Sequence, residues 1–141
     1  MRHEIIKAAL GEFGIKELPG AVNNSPRILE YFTEIGHGWV KEDETAWCST
    51  FVNYIAKVTG HSMSGKLDAR SWLGVGCKTL KPQIGDVVVL WRESKTSWKG
   101  HVGFFIREYK GLIYMLGGNQ DNQVCVKGYA ASRLLGYRIL D

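Results

Sequence analysis

The sequence has few cysteines and prolines, and it lacks the spacing of a metal or disulfide scaffold. Its three cysteines, Cys48, Cys77 and Cys125, are far apart, and none belongs to a C-x-x-C pair. An odd number of cysteines argues against a complete disulfide framework, and the spacing does not match that of structural zinc sites. A chain of 141 residues can bury a sizeable core without such supports. We therefore expect a fold that depends on hydrophobic packing, with no metal.

Targeting and membrane-spanning segments are also missing from the sequence. No apolar segment of signal-peptide type follows the first four residues, and no stretch of 18 apolar residues occurs. We expect a protein that is made in the cytoplasm, does not insert into a membrane and reaches any external target by another route. No repeat or Pro/Gly/Ser-rich linker interrupts the chain, so a single domain over residues 1–141 is expected. We also expect a monomer.

The charge balance is moderately basic. Lysines and arginines exceed acidic residues to give a formal net charge of +4. This excess favours anionic partners, namely nucleic acid, acidic lipid or an anionic cell wall, or is simply a solvated surface. The basic residues form no run of five, so we do not expect a nucleic-acid partner.

The first part of the chain has helical periodicity. An initial helix is indicated by Ile6, Leu10 and Phe13, with Ile5 and Ala9 beside them. A second helix is predicted from Ser25, a capping residue, and Pro26, which suits the first helical position. Its expected buried stripe consists of Ile28, Leu29, Phe32 and Ile35, and Gly36 should end it. A third helix is predicted from Cys48, with a buried face of Phe51, Val52, Ile55 and Ala56.

The periodicity becomes strand-like after Pro82. Five strands are predicted, over Val87–Trp91, Val102–Glu108, Leu112–Leu116, Val124–Val126 and Tyr137–Leu140. Helices followed by a run of antiparallel strands are typical of the α+β class. We therefore expect N-terminal helices packed on an antiparallel sheet of about five strands.

Cys48 is the candidate nucleophile because it lies where a helix is predicted to begin. The first N–H groups of a helix have no internal partners and carry partial positive charge, which favours the thiolate. A cysteine beside an apolar helix can equally be a small buried hydrophobic residue.

A thiol enzyme also needs a base, and His101 is the candidate. The other three histidines lie at the chain start or after glycines that end predicted helices, whereas His101 opens a predicted strand in Gly100-His101-Val102-Gly103-Phe104. A strand-edge histidine in contact with solvent is the alternative interpretation.

The hairpin of the second and third strands indicates a third polar group. A three-residue loop, Tyr109-Lys110-Gly111, would pair Glu108 with Leu112 and place Asn119 opposite His101. A two-residue loop would place Gln120 there instead. An amide at this position could accept the imidazole N–H and fix the tautomer, although Gly117-Gly118-Asn119-Gln120 also has the composition of a turn.

In their order along the chain, these segments resemble the CHAP or NlpC-type hydrolases, papain-like cysteine amidases and peptidases of peptidoglycan. The resemblance rests on Trp47-Cys48-Ser49, Gly85-Asp86-Val87-Val88-Val89-Leu90-Trp91, the His101 segment and the Asn119 segment. A phage- and prophage-associated branch, which includes endolysins, is similar over nearly the whole chain, including residues 14–21 and 131–138. The resemblance implies a papain-like fold with Cys48 as nucleophile, His101 as base and Asn119 as the orienting residue.

The sequence departs from the family pattern in two places. NlpC-type enzymes usually have a histidine-type third residue, and no histidine follows His101. Some CHAP enzymes bind calcium through an Asp-rich loop, but Glu42, Asp43 and Glu44 lack the alternation of an oxygen-ligand loop. We therefore expect no cofactor, with calcium as the alternative.

Four further residues are candidates for binding substrate. Trp47 flanks Cys48, Trp72 and Trp98 can form groove walls, and Arg70 could meet a substrate carboxylate. Each tryptophan can instead be ordinary core or surface, and Arg70 an exposed helical arginine.

The predicted function is hydrolysis of amide bonds in the peptide stem of peptidoglycan, by an amidase or an endopeptidase. Alternatives are a non-catalytic cell-wall binding module, a transglutaminase or deamidase that acts on proteins, and a structural protein with an inert cysteine. Host lysis, phage entry and attack on neighbouring cells all remain compatible with the sequence.

Overall fold

The computed structural model describes residues 2–18, 25–38 and 47–141, and these have the predicted α+β fold. The α-helices are α1 Arg2–Leu10, α2 Pro26–Glu34 and α3 Cys48–Val58. The strands are β1 Cys77–Thr79, β2 Val87–Trp91, β3 Gly100–Tyr109, β4 Leu112–Gln120, β5 Gln123–Ala130 and β6 Leu134–Ile139. Two 3₁₀ turns, over Ala69–Gly74 and Ala131–Arg133, complete the described elements.

The strands form one antiparallel sheet of six strands rather than about five. Its spatial order is β1-β6-β2-β3-β4-β5. The additional strand, β1, pairs with β6 at one edge of the sheet. Its three residues, Cys-Lys-Thr, are too few and too polar to produce an alternating pattern, so periodicity does not predict it.

Helix α3 packs on the sheet against β3 and β4, and α1 also contacts β4. Its predicted face is confirmed, since Phe51, Val52, Ile55 and Ala56 are all fully buried. α1 and α2 pack in turn on α3. The central helix therefore carries Cys48, its first residue, towards the sheet.

The predicted first helix is confirmed as α1, but two of the apolar residues that indicate it are exposed. Ile5 and Ala9 are the buried residues, whereas Leu10 is 50% exposed and Phe13 is 56% exposed. The helix ends at Leu10, so Phe13 lies beyond it and cannot extend a helical stripe.

The start of α2 is confirmed, and its buried stripe is partly corrected. Ser25 is the N-cap, and its hydroxyl accepts a long hydrogen bond of 3.5 Å from the N–H of Ile28. Tyr31 is buried with Ile28 and Phe32, whereas Leu29 and Ile35 are only partly buried. A tyrosine can be buried here because its hydroxyl donates to Glu12, at 2.8 Å.

Strand β2 is buried on both faces. Val87 and Val89 belong to the core between the sheet and the helices, whereas Val88 and Leu90 pack on the opposite face with Tyr137 and others. Burial on both faces explains why this strand has a continuous apolar run rather than an alternating one.

The three cysteines are free thiols. Cys77 lies in β1 and Cys125 in β5, at opposite edges of the sheet, so they do not form a disulfide. Within the described parts of the chain, no helix has the length and apolar character needed to cross a membrane.

Candidate active site

A pocket opens where the first residue of α3 meets the first residues of β3. It brings together Cys48 and His101, the two residues that the sequence predicts as nucleophile and base. Its other lining residues are Leu67, Asp68, Ala69, Arg92, Trp98, Lys99, Gly100 and Asn119. Cys48 is 7% exposed and lines this pocket, so the residue is not sealed in the core.

Backbone N–H groups surround the sulfur of Cys48. α3 begins at Cys48, its first backbone hydrogen bond runs from Phe51 N–H to Trp47 C=O at 2.9 Å, and Trp47 provides no side-chain cap. The N–H groups of Val102, Ser49 and Cys48 itself favour the thiolate, as does the charge of Arg92. Burial is the larger effect and raises the pKa of the thiol above its ordinary value, so the resting side chain is the neutral thiol.

A buried polar network behind Cys48 fixes the wall of the pocket over residues 64–72. The hydroxyl of Ser49 donates to the carbonyl of Lys66 at 2.7 Å and accepts from Trp72 Nε1 at 3.0 Å. The amide of Asn53 donates to the same Lys66 carbonyl at 3.1 Å and accepts from the N–H of Gly65 at 2.9 Å. These bonds hold Leu67, Asp68 and Ala69 against the start of α3.

The imidazole of His101 is held by Gln120. His101 Nε2 and Gln120 Oε1 are 2.9 Å apart. The amide nitrogen of Gln120 donates to the carbonyls of Cys125 at 2.6 Å and Met115 at 3.2 Å, so its oxygen faces the ring. A carbonyl oxygen only accepts, and therefore Nε2 carries the proton and Nδ1 is the basic nitrogen.

His101 is a neutral base in this environment. Burial lowers its pKa to about 4, although the hydrogen bond to Gln120 acts in the opposite direction. The positive charges of Arg133, Arg92 and Lys127 lower it further. At neutral pH the imidazole is therefore unprotonated and can accept a proton from the thiol.

At the turn of the β3–β4 hairpin, the favoured three-residue loop is wrong and the alternative two-residue loop is confirmed. Tyr109 pairs with Leu112 and Glu108 with Ile113, around a two-residue loop. A β-bulge between Phe105 and Arg107 then shifts the pairing by one residue. Phe104 therefore pairs with Leu116, as it would in the register that the three-residue loop predicts. The pairing of β4 with β5 shifts again between Gly117 and Gln120.

These irregularities correct the prediction that Asn119 orients His101. Asn119 lies in the second irregularity with φ of 57°, and it lines the pocket while the next residue, Gln120, reaches the imidazole. Gly117-Gly118 belongs to strand β4, although its composition is typical of a turn. Glycine is required at position 118 because a Cβ there would lie 2.5 Å from the Trp47 ring.

Three of the four predicted substrate-binding residues have other roles in the structure. Trp47 and Trp72 are fully buried, and their indole nitrogens donate to Glu17 and Ser49, each at 3.0 Å. Arg70 donates to three backbone carbonyls, those of Lys99, Lys95 and Ser94, at 2.7–2.8 Å. Arg70 is therefore an internal anchor of the loop that precedes β3, and its guanidinium is not available to a substrate.

Trp98 does line the pocket, as a substrate wall would, and it is 71% exposed. The sequence interpretation missed three charged lining residues, Asp68, Arg92 and Lys99. A signal for two of them exists, because Arg92 directly follows β2 and Lys99 directly precedes β3. The last residue of β2 pairs with the first residue of β3, so both cations lie at the same end of the sheet.

The described residues contain no group of three or more His, Cys, Asp and Glu side chains placed to hold a metal ion. The candidate calcium loop, Glu42 to Glu44, lies outside the described residues.

Solved structures with the same fold provide the comparison with known proteins. An NlpC/P60 family protein from Bacillus cereus ATCC 10987 aligns with a TM-score of 0.61 and 16% identity, over 99% of this chain and 40% of its own. A protein similar to a lipoprotein of the NLP/P60 family, from Staphylococcus aureus subsp. aureus Mu50, aligns with a TM-score of 0.57 and 17% identity, over 97% of this chain and 40% of its own. The chain thus has the papain-like fold of NlpC/P60 proteins and spans two fifths of the length of each. No protein-family model and no curated protein matches the sequence.

Proposed function

We propose that this protein is a cysteine hydrolase that cleaves amide bonds in the peptide stem of bacterial peptidoglycan. One observation carries the proposal: the thiol of Cys48 and the imidazole of His101 line one pocket, and Gln120 leaves Nδ1 of that imidazole free to accept a proton. The NlpC/P60 fold supports the peptidoglycan substrate, and the basic net charge of +4 suits an anionic wall.

The first half of the proposed reaction forms an acyl-enzyme. The sulfur of Cys48 attacks the amide carbonyl carbon while His101 Nδ1 takes the thiol proton. Proton transfer accompanies the attack because burial favours the neutral thiol and the neutral imidazole over the ion pair. The imidazolium then gives its proton to the amine nitrogen as the C–N bond breaks, which leaves a thioester on Cys48.

The second half releases the product. His101 takes a proton from water, the hydroxide adds to the thioester carbonyl, and the C–S bond breaks as the proton returns to sulfur. In both halves the developing oxyanion can be stabilised by the N–H of Cys48 at the start of α3, where the partial positive charge of the helix is concentrated.

The test is the loss of wall hydrolysis in Cys48→Ala. This variant should stop the clearing of purified cell walls and remain folded, because it removes only the attacking sulfur. Cys77→Ala is the matched control, since Cys77 is exposed on the edge strand β1 and should leave the rate unchanged. Full activity in Cys48→Ala would overturn the proposal.

Two further measurements separate the proposal from its alternatives. Wall binding without any turnover would indicate a binding module, and modification of a protein glutamine without wall digestion would indicate a transglutaminase or deamidase. Mass spectrometry of the released muropeptides distinguishes amidase cleavage next to L-alanine from endopeptidase cleavage within the stem.

The same proposal includes two further features. The protein reaches the wall by phage-type release, as endolysins of the CHAP or NlpC type do, and it acts as a monomer.

A further inference from the structure

Arg92 lines the pocket, and its guanidinium has no hydrogen-bond or ion-pair partner among the described residues. It is the residue directly after β2, it is exposed, and it lines the pocket together with Cys48 and His101. Among the described residues, no hydrogen bond, ion pair or ring contact engages its side chain. Arginine is the side chain best suited to bind a carboxylate through two parallel hydrogen bonds.

The neighbouring cations differ from Arg92 because each is already engaged. Arg70 donates to three carbonyls of the loop over residues 94–99. Lys99 forms an ion pair with Glu93 at 2.7 Å, and Lys127 forms one with Asp121 at 2.8 Å. Arg133 donates to the carbonyl of Trp91 at 3.0 Å and lies over its ring.

The charges around the pocket favour an anion near the reacting groups. Arg92 lines the same pocket as Cys48 and His101, and its positive charge lowers the pKa of both groups. Among the described lining residues Asp68 is the one acidic residue, and no ion pair of the described structure links it to Arg92. The guanidinium is therefore available to an acidic group that enters with the substrate.

We propose that Arg92 binds a free carboxylate of the substrate beside the scissile amide, so that the enzyme selects acidic stem peptides over the same peptides with that carboxylate amidated. The proposal rests on the proposed hydrolase function, because it assigns specificity within the same pocket. Trp98, exposed at the rim of the pocket, offers an apolar surface to the rest of the stem.

The test measures binding separately from hydrolysis. In a Cys48→Ala background, which cannot turn over, calorimetry compares two synthetic stem peptides that differ only in a glutamyl carboxylate, free in one and amidated in the other. We expect the acidic peptide to bind about tenfold or more tightly, as a charge-assisted bidentate contact allows. Arg92→Gln should abolish that preference, and Arg92→Lys should keep part of it. The matched control is Lys95→Gln, an exposed lysine of the same loop that does not line the pocket.

Each result decides the proposal. Equal binding of the two peptides to the Cys48→Ala protein, or a preference that survives Arg92→Gln, would overturn the role of Arg92. An Arg92→Gln variant that weakens both peptides equally would also overturn it, because the residue would then act on the pocket rather than on the carboxylate. Failure of the protein with Cys48 intact to cleave cell walls would defeat the hydrolase function and leave the binding result to be assessed by itself.

Discussion

At the scale of single residues, the orientation of the His101 imidazole depends on the side-chain amide of Gln120, which is itself held by other hydrogen bonds. Gln120 places its oxygen against Nε2 because its nitrogen is used by the carbonyls of Met115 and Cys125, on β4 and β5. An amide fixes the tautomer without carrying a charge, so it stabilises an imidazolium less than a carboxylate would. The result is a weakly basic ring whose Nδ1 is available at neutral pH.

Replacement of Gln120 should separate its role from that of Asn119. Gln120→Leu should lower kcat by about tenfold or more, because part of the general-base contribution is lost when the ring is no longer held in one tautomer. Asn119→Gly should stay close to the unchanged protein, since glycine tolerates the φ of 57° at that position. Steady-state rates on soluble stem peptides measure both variants.

A third variant tests whether Gln120 orients the base His101 or only supports the fold. Gln120→Glu should raise the pKa of His101, because a carboxylate beside Nε2 favours the imidazolium, and the acid limb of the kcat/KM profile should move to higher pH. A loss in Asn119→Gly as large as that in Gln120→Leu would return the orienting role to Asn119.

At the scale of elements, two connecting segments form the pocket walls, and each is anchored by a different element. The segment over residues 64–72 is bound to the first two turns of α3 through Ser49 and Asn53. The loop over residues 94–99 is bound by Arg70, from the 3₁₀ turn Ala69–Gly74. Arg70 therefore joins the two walls, and the position of Trp98 depends on it.

Arg70→Met should loosen the loop that carries Trp98. The loss of hydrogen bonds from a charged donor to three carbonyls should lower the free energy of unfolding by about 2 kcal/mol. The amides of residues 94–99 should exchange hydrogen faster, and KM should rise more than kcat falls, because the wall is displaced while Cys48 and His101 stay in place. Hydrogen exchange and steady-state kinetics provide the measurements.

Arg138→Met is the matched control for that variant. Arg138 also donates to backbone carbonyls, those of Val75 and Gly76, but away from the pocket. It should cost similar stability while the exchange of residues 94–99 and KM stay unchanged. Equal effects of both variants on KM would show that the loop is not specifically anchored by Arg70.

The elements that the sequence predicts well are those with a strong period or a single buried arrangement. α3, α2 and β2 have clear apolar patterns, and the structure confirms their starts at Cys48, Pro26 and Val87. The buried face of α1 does not follow from its sequence, because its apolar residues surround the helix and contacts with α3 and β4 select among them. The edge strand β1 has no apolar period, since it is defined by its hydrogen bonds to β6.

The structure places Cys48 and His101 at one pocket, whereas the favoured register of the β3–β4 hairpin is wrong at the turn. Two bulges, near Ile106 and Asn119, each shift the pairing of β4 relative to a neighbouring strand. A bulge depends on local packing, such as the contact of Gly118 with the Trp47 ring, and leaves no periodic signal in the sequence. The choice between Asn119 and Gln120 therefore required the structure.

At the scale of the whole molecule, the site depends on long-range packing. Cys48 and His101 meet because α3 lies across β3 and β4, and β3 is held between β2 and β4 in the interior of the sheet. β6 follows the other strands in the chain but inserts between β1 and β2. The two buried clusters and the pocket share the strands of one sheet, so we expect them to unfold together. A buried titratable group in the site should then affect the free energy of unfolding of the whole fold.

The stability of the molecule should fall as the pH decreases through the titration range of His101. Its pKa in the fold is about 4, lowered from an ordinary 6.5 by burial, so the unfolded chain takes up a proton at a higher pH than the folded one. Between these two values each decrease in pH favours unfolding, and the loss in free energy of unfolding should reach about 3 kcal/mol near pH 4.

Urea unfolding at pH 7, 5.5 and 4 measures this loss. The reference is His101→Gln, which removes the titrating ring but retains the carboxylates that titrate at low pH. The difference in free energy of unfolding between the two proteins should be greatest at pH 7 and decrease towards pH 4. A difference that is independent of pH would mean that His101 is not held as a neutral, buried base.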